Sequence, residues 1–331
     1  MSRTRRSMTF AHRVERLLRL NSFDVVHAIS PFRCADIYQP RGGTVAESIE
    51  RNLALVGSRA GRRLKRCANR FNLKQRYMLS LEQELLGRPN GPLIVAISDY
   101  VVRQLRRHYA LPDRRIRKVY NGVDTSVPRG LERSEQRAAI RREFGISDGD
   151  CLVLLVAHNF RLKGVHHWME ALSLLVNRGV NDVRSLVIGK GESQRWHRLA
   201  ARLGITSHLR FTGPSDRVPD LYRAADVLVH PTYYDPCSRV VLEAMVAGLP
   251  CVTTRWDGAS EVIQDGVNGY VLDEPRNAAA LADRVERLRD LDSRRAVGAA
   301  ASVIADTVSM SRHACEMLEV YQELAFTRAA V

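Results

Sequence analysis

At 331 residues, 45% apolar and 26% charged, the chain has an ordinary globular composition and enough length for two cores rather than one. No apolar run reaches the roughly 18–20 residues that cross a bilayer, and the basic start MSRTRRSMTF lacks the apolar stretch of a signal peptide, so cytoplasmic residence is expected. The net charge of +15 is uneven: residues 1–130 carry 26 Lys and Arg against 10 Asp and Glu, and the remainder 25 against 26. Such a segment suits a polyanionic partner, either an anionic membrane surface, an anionic lipid-linked acceptor or nucleic acid; solvated arginine-rich helix faces are the plain alternative.

In chain order, short apolar runs predict strands over 25–28, 35–38, 93–98 and 116–120, with a long helical stretch between 46 and 86 that carries arginines around much of its surface. Ser98 is suited to cap a helix over 100–109. The NGVD turn signal follows Tyr120, and the polar stretch 125–135 is the expected linker. Beyond it, strands are expected over 152–157, 183–188, 209–212, 227–229, 251–254 and 270–272, with helical periodicity at 165–175, 193–203, 218–224, 239–246 and 278–288. That alternation implies βαβ units and a parallel, doubly wound sheet, which binds ligands at the carboxyl ends of its strands. The six cysteines, Cys34, Cys67, Cys151, Cys237, Cys251 and Cys315, form no CxxC pair and no zinc-type spacing, so reduced thiols and no structural metal are expected.

Three constellations carry chemistry. In Asp235-Pro-Cys-Ser-Arg-Val-Val-Leu-Glu243, Ser238 starts a helix that stops at Gly248, with Pro250 beyond. First-turn amides lack intrahelical partners and the helix dipole adds positive potential, which together make a diphosphate site. Asp235 just outside the helix and Glu243 more than a turn inside it would bracket that anion and accept hydrogen bonds from sugar hydroxyls. Arg161 and Lys163 follow the strand over 152–157 and supply cations at the same sheet edge. Gly189-Lys-Gly191 and Gly213-Pro-Ser215 allow close backbone approach at two more strand ends, where a base or ribose has room.

From about Leu93 to the end, the motifs ISDYV, NGVD, NFRLKG, LVIGKG, FTG, AADVLVHPTYYDPCSRVVLEAMVAGLPCVTT, GASEVI and DGVNGYVL resemble, in order and spacing, the retaining glycosyltransferases of family 4, especially lipopolysaccharide core glucosyltransferases. The resemblance implies a GT-B fold of two Rossmann-like doubly wound domains, the N-terminal one incomplete because FDVVHAIS arrives already at Phe23. It implies an N-terminal acceptor-side domain over 1–130, a donor-binding domain over 131–310, and a C-terminal helix over 311–331 that packs back toward the N-terminal domain. It further implies that Glu243 binds ribose hydroxyls and Asp235 donor-sugar hydroxyls, while Arg161 and Lys163 neutralise the diphosphate. Amides around Ser238, Arg239 and Val240 would help, with Cys237 in the same turn and Gly189 and Gly213 lining the donor. His27 resembles a histidine that many members point at the donor sugar. The family pattern has glutamate where Asp235 stands and often glycine where Ser238 stands. The implied activity moves a hexose from a nucleotide sugar, a UDP-hexose, to a cell-envelope or lipid-linked glycan, with no metal and no cofactor. A non-catalytic relative that binds nucleotide sugar or a partner is the alternative, and a nucleic-acid binder the third reading, though nothing in the chain marks a nucleic-acid motif.

Overall fold

The computed structural model describes residues 3–126, 132–191 and 194–329. The chain forms two compact units, Met1–Asn121 with Ser311–Val331, and Gly122–Met310. The division falls inside NGVD, ahead of the polar stretch expected as linker; residues 127–131 of that stretch, like Ser193, lie outside the described residues.

The first unit contains α1 (Arg3–Leu20), β1 (His27–Ala28), β2 (Ile37–Tyr38), α2 (Val45–Ala54), α3 (Arg59–Asn69), α4 (Leu73–Gly87), β3 (Leu93–Ala96), α5 (Asp99–Tyr109) and β4 (Ile116–Lys118). Its described strands pair in parallel in the order β1-β2-β3-β4. The expected long helix between 46 and 86 is broken into three, because Ser58 and Asn72 each turn their side chains back as caps. Ser58 Oγ accepts from the Gly61 amide at 3.0 Å and Asn72 Oδ1 from the Gln75 amide at 3.1 Å. Two buried carboxylates organise the helices. Glu82 accepts from the Tyr38 hydroxyl (2.7 Å), the Val45 amide (2.8 Å) and the Tyr109 hydroxyl, and burial pushes its carboxyl pKa up. Glu47 accepts from the Tyr100 hydroxyl at 3.0 Å and pairs with His108. Helix α13 (Met310–Ala329) joins this unit from Ser311 onward, where Met317 and Val320 pack with Ile37, Val95 and Val119.

The second unit contains α6 (Glu132–Glu143), β5 (Cys151–Val156), α7 (Val165–Asn177), β6 (Val183–Ile188), α8 (Gln194–Arg202), β7 (Leu209–Gly213), α9 (Val218–Ala224), β8 (Val227–His230), α10 (Arg239–Val246), β9 (Cys251–Thr254), β10 (Tyr270–Leu272), α11 (Ala278–Arg287) and α12 (Leu291–Ser302). Its described strands are all parallel, in the order β10-β9-β8-β5-β6-β7. The core is apolar: β5 is buried along almost its whole length, and Trp168, Met169 and Leu172 of α7 and Leu281 and Val285 of α11 are excluded from solvent. Both units are thus Rossmann-like α/β folds, which the strand and helix alternation predicts for the second unit and the family resemblance implies for the first.

The strand order reverses between β8 and β5. At the amino ends of these strands the buried Asp226 holds the reversal together. Its Oδ2 accepts from the Leu152 amide (2.7 Å) and from Arg141 (3.1 Å), and its Oδ1 pairs with Arg137 (2.7 Å). Arg141 is only 2% exposed, and its Nη2 donates to the Ser147 and Asp150 carbonyls, each at 2.6 Å. Asp226→Ala would leave a buried guanidinium without its carboxylate, at a cost of about 3–5 kcal/mol. Urea unfolding is expected to show that loss; a change below about 1 kcal/mol would refute the pin.

Candidate active site

The reversal brings the loop after β5 against the loop after β8, at the carboxyl edge of the sheet. Gly164 makes the approach feasible: its φ is +69°, and a Cβ there would lie 2.0 Å from the Pro231 carbonyl oxygen. The Tyr233 amide donates to the Leu162 carbonyl at 2.9 Å, so the loops are stitched by backbone as well. Across this seam Lys163 Nζ meets Asp235 Oδ2 at 2.5 Å and the Tyr234 carbonyl at 3.1 Å. His230 Nε2, at the end of β8, lies 3.4 Å from the same Asp235 oxygen. Burial alone would raise the Asp235 carboxyl, but the Lys163 ammonium, with His230 adding to it, holds it below the usual carboxylate range.

Helix α10 begins beside this pair. Ser238 is its N-cap, with Oγ accepting from the Val241 amide at 3.4 Å. The Cys237 amide donates to Asp235 Oδ1 at 3.3 Å. The Ser238 amide, expected among the anion donors, is taken by Asp257 Oδ1 at 3.0 Å. Among the described residues this leaves the amides of Arg239 and Val240 without a hydrogen-bond partner, and they are the donors the helix presents. One turn further, Glu243 accepts from the Tyr222 hydroxyl at 3.2 Å and pairs with Arg239 at 3.2 Å. Burial pushes the Glu243 carboxyl pKa up, Arg239 opposing, and burial with the Glu243 charge drives the Tyr222 hydroxyl well above its ordinary value.

The remaining expected residues fall elsewhere. Arg161 diverges from Lys163: it is exposed and lines a cavity of about 350 Å³ with His158, Lys190, Arg195 and Trp196. Gly189 has φ of +132°, and a Cβ there would lie 1.8 Å from the Ala157 carbonyl oxygen, so the packing of β5 against β6 demands glycine. Its amide donates to the Gly213 carbonyl at 2.8 Å, which places both glycines at adjoining strand ends. His27 is in the first unit, where Nδ1 meets the Tyr321 hydroxyl at 2.8 Å. Burial, then the charges of Arg41 and His313, lowers its pKa and favours the neutral imidazole. The sequence reading did not single out His230, Tyr222, Lys190, Arg195 or Asp257. Asp257 had one available signal: it follows the end of β9 by three residues, at the same carboxyl edge as the motifs.

Comparison with known proteins agrees with this architecture. Residues 136–302 match the family model for glycosyl transferases group 1, and residues 1–127 match that for glycosyltransferase family 4. The lipopolysaccharide glucosyltransferase WaaG of Escherichia coli K12 is 28% identical over 206 residues, covering 62% of this chain and 55% of that protein. A D-inositol 3-phosphate glycosyltransferase of Nocardiopsis dassonvillei is 32% identical over 248 residues, covering 71% of this chain and 57% of its own. The matched region therefore spans little more than half the length of these curated relatives. In fold, the crystal structure of WaaG superposes with a TM-score of 0.79 at 24% identity, covering 92% of this chain and 80% of that one. The Anabaena protein HepE, solved with UDP-glucose, gives a TM-score of 0.69 at 18% identity, covering 97% and 82%. With a family match over half its length and two parallel α/β units of the GT-B type, the chain belongs to the glycosyl transferases group 1 family.

Proposed function

We propose that the protein transfers a hexose from a nucleotide sugar, a UDP-hexose, to a glycan or glycolipid acceptor of the cell envelope, with retention of anomeric configuration. The observation that carries this reading is the Lys163–Asp235 ion pair beside the two open amides of α10, with Glu243 on the same helix. Breaking a sugar–phosphate bond builds negative charge on the leaving diphosphate. The Arg239 and Val240 amides, the positive helix end and Lys163 are suited to meet it, so the reading calls for no metal and no organic cofactor. Asp235, kept ionised, accepts hydrogen bonds from donor-sugar hydroxyls, and Glu243 from the ribose. Cys237 and Ser238 shape the turn that presents the amides, and Gly189 and Gly213 keep the nucleotide side of the sheet edge open. HepE, solved with UDP-glucose, and WaaG, a lipopolysaccharide glucosyltransferase by name, support the donor and acceptor classes.

Purified protein given UDP-glucose and an envelope glycolipid is expected to release UDP. Lys163→Met should lower kcat on the order of 10²–10³ fold, and Glu243→Ala should act mainly on the donor KM. Equal turnover in wild type, Asp235→Ala, Lys163→Met and Glu243→Ala would sink the site.

The basic first unit is assigned to the acceptor and to the cytoplasmic face of an anionic membrane. Helix α3 has no buried residue; Arg59, Arg62, Arg63 and Arg66 face solvent, and Leu64, Phe71 and Leu73 are 73%, 83% and 69% exposed. Each such cation near an anionic surface contributes about 1 kcal/mol. No described helix is long and apolar enough to cross a membrane, so the contact proposed is peripheral. Vesicles rich in anionic lipid are expected to sediment the protein at low salt and release it at high salt. Arg62→Glu with Arg66→Glu should weaken the association at least tenfold, and binding indifferent to lipid charge would refute it.

A further inference from the structure

We propose that Asp257 is a positioning residue for the donor diphosphate, that the form of the site which binds the diphosphate carries Asp257 as a neutral carboxylic acid, and that donor binding therefore takes up a proton. The proposal rests on the reading of α10 as the diphosphate site.

Asp257 is wholly buried. Its Oδ1 accepts from the Ser238 amide at 3.0 Å and from the Ala259 amide at 2.9 Å, tying the N-cap of α10 to the loop after β9. Two backbone bonds lock the same segments together: the Asp235 amide donates to the Trp256 carbonyl and the Gly258 amide to the Asp235 carbonyl, each at 2.9 Å. Asp257 thus sets both the carboxylate assigned to the sugar and the helix end assigned to the phosphates.

Its other oxygen carries the proton. Oδ2 lies 2.9 Å from Thr253 Oγ1, which is also 3.1 Å from the His230 carbonyl oxygen. The Thr253 hydroxyl has one proton and two oxygen neighbours. With Asp257 protonated on Oδ2, that acid donates to Thr253, and Thr253 donates to the carbonyl; with Asp257 ionised, one of the two contacts has no proton. Of the charged groups around it, Asp235 acts in the same direction and His230 against it. Lys163 sits on Asp235, not on Asp257, so among the described residues the second carboxylate faces the first with no Lys or Arg paired to it. Burial, then the Asp235 charge, raises the Asp257 carboxyl to about 6. The titratable groups facing Asp257 are Asp235 before α10, His230 at the end of β8 and Cys251 in β9; Arg239 opens the helix.

A diphosphate on the Arg239 and Val240 amides adds negative charge next to the Ser238 amide that Asp257 holds. This disfavours ionised Asp257 further, and the proton comes from solvent onto Oδ2 with no other bond made or broken. The sign follows from linkage: a group that gains a proton on binding makes affinity fall as pH rises above its free-state pKa, by up to about tenfold per pH unit.

The test is calorimetry of UDP-glucose, whose diphosphate diester does not itself titrate near neutrality, in buffers of different ionisation enthalpy. Wild type near pH 7 is expected to take up close to one proton per site and to bind more weakly as pH rises. Asp257→Asn keeps acceptors for both amides and a donor for Thr253, so it should bind without proton uptake and with little pH dependence. Asp257→Ala should lose at least tenfold in affinity. Proton uptake unchanged in Asp257→Asn, or absent in wild type that binds, would overturn the proposal. Wild type that fails to bind UDP-glucose would instead overturn the donor reading. In that case the infrared difference between wild type and Asp257→Asn still decides: a protonated-carboxyl C=O band at about pH 5 that fades by about pH 8 supports the acid, and its absence at the lower pH overturns it.

Discussion

Strands β5 and β8 are hydrogen-bonded neighbours although β6 and β7 intervene in the chain, and this adjacency is held by charge at both ends. At the amino edge, Asp226 gathers Arg137 and Arg141 and closes on the Leu152 amide. At the carboxyl edge, Lys163 from the β5 side reaches Asp235 on the β8 side. Buried charges are costly to desolvate, and they persist where partners and hydrogen bonds saturate them. The first cluster is closed, with its oxygens committed to arginines and an amide. The second borders two helix amides that have no hydrogen-bond partner among the described residues. The same reversal that the first cluster stabilises therefore gives the second its place at the proposed anion site.

Most of the second unit was legible because its signals are local. Runs such as CLVLLV and VRSLVI announce buried strands, and α10 is marked by Ser238 at its start and Gly248 beyond its end. Local signals also mislead where a polar side chain overrides periodicity. Ser58 and Asn72 sit within a stretch that reads as one helix, and each spends its side chain on capping a new one. The companion cations Arg161 and Lys163 are two residues apart, yet the turn between strand and helix sends one to the Asp235 seam and the other to a cavity with Lys190 and Arg195. Spacing cannot reveal that divergence. Long-range partners are silent in sequence for the same reason: Tyr321 reaches His27 across almost the whole chain, and Asp257 reaches Ser238 only because β9 lies beside β8.

The aspartate at position 235 also looks different in its surroundings than it does in a motif. A side chain one methylene shorter than the glutamate of the family pattern is drawn down onto Lys163 and His230, and its backbone is bonded on both faces to the 256–258 segment. Position, protonation and helix end are coupled through these contacts. A substitution at any one of Lys163, Asp235 or Asp257 therefore acts on the others, and their effects are not additive.

The first unit is assembled from residues far apart in sequence: Met317, Val320 and Tyr321 of α13 complete the core and the His27 environment begun by β1, β2 and β3. Everything from Gly122 to Met310 lies between them and forms its own compact body. On the ribosome, residues 1–121 emerge before 122–310 yet close only once residues 311–331 have followed. Its apolar sheet face waits, without its α13 cover, for the whole second unit to emerge. During that interval Ile37 and Val95 lack their α13 partners, and transiently exposed apolar surface of this kind favours aggregation until the helix packs.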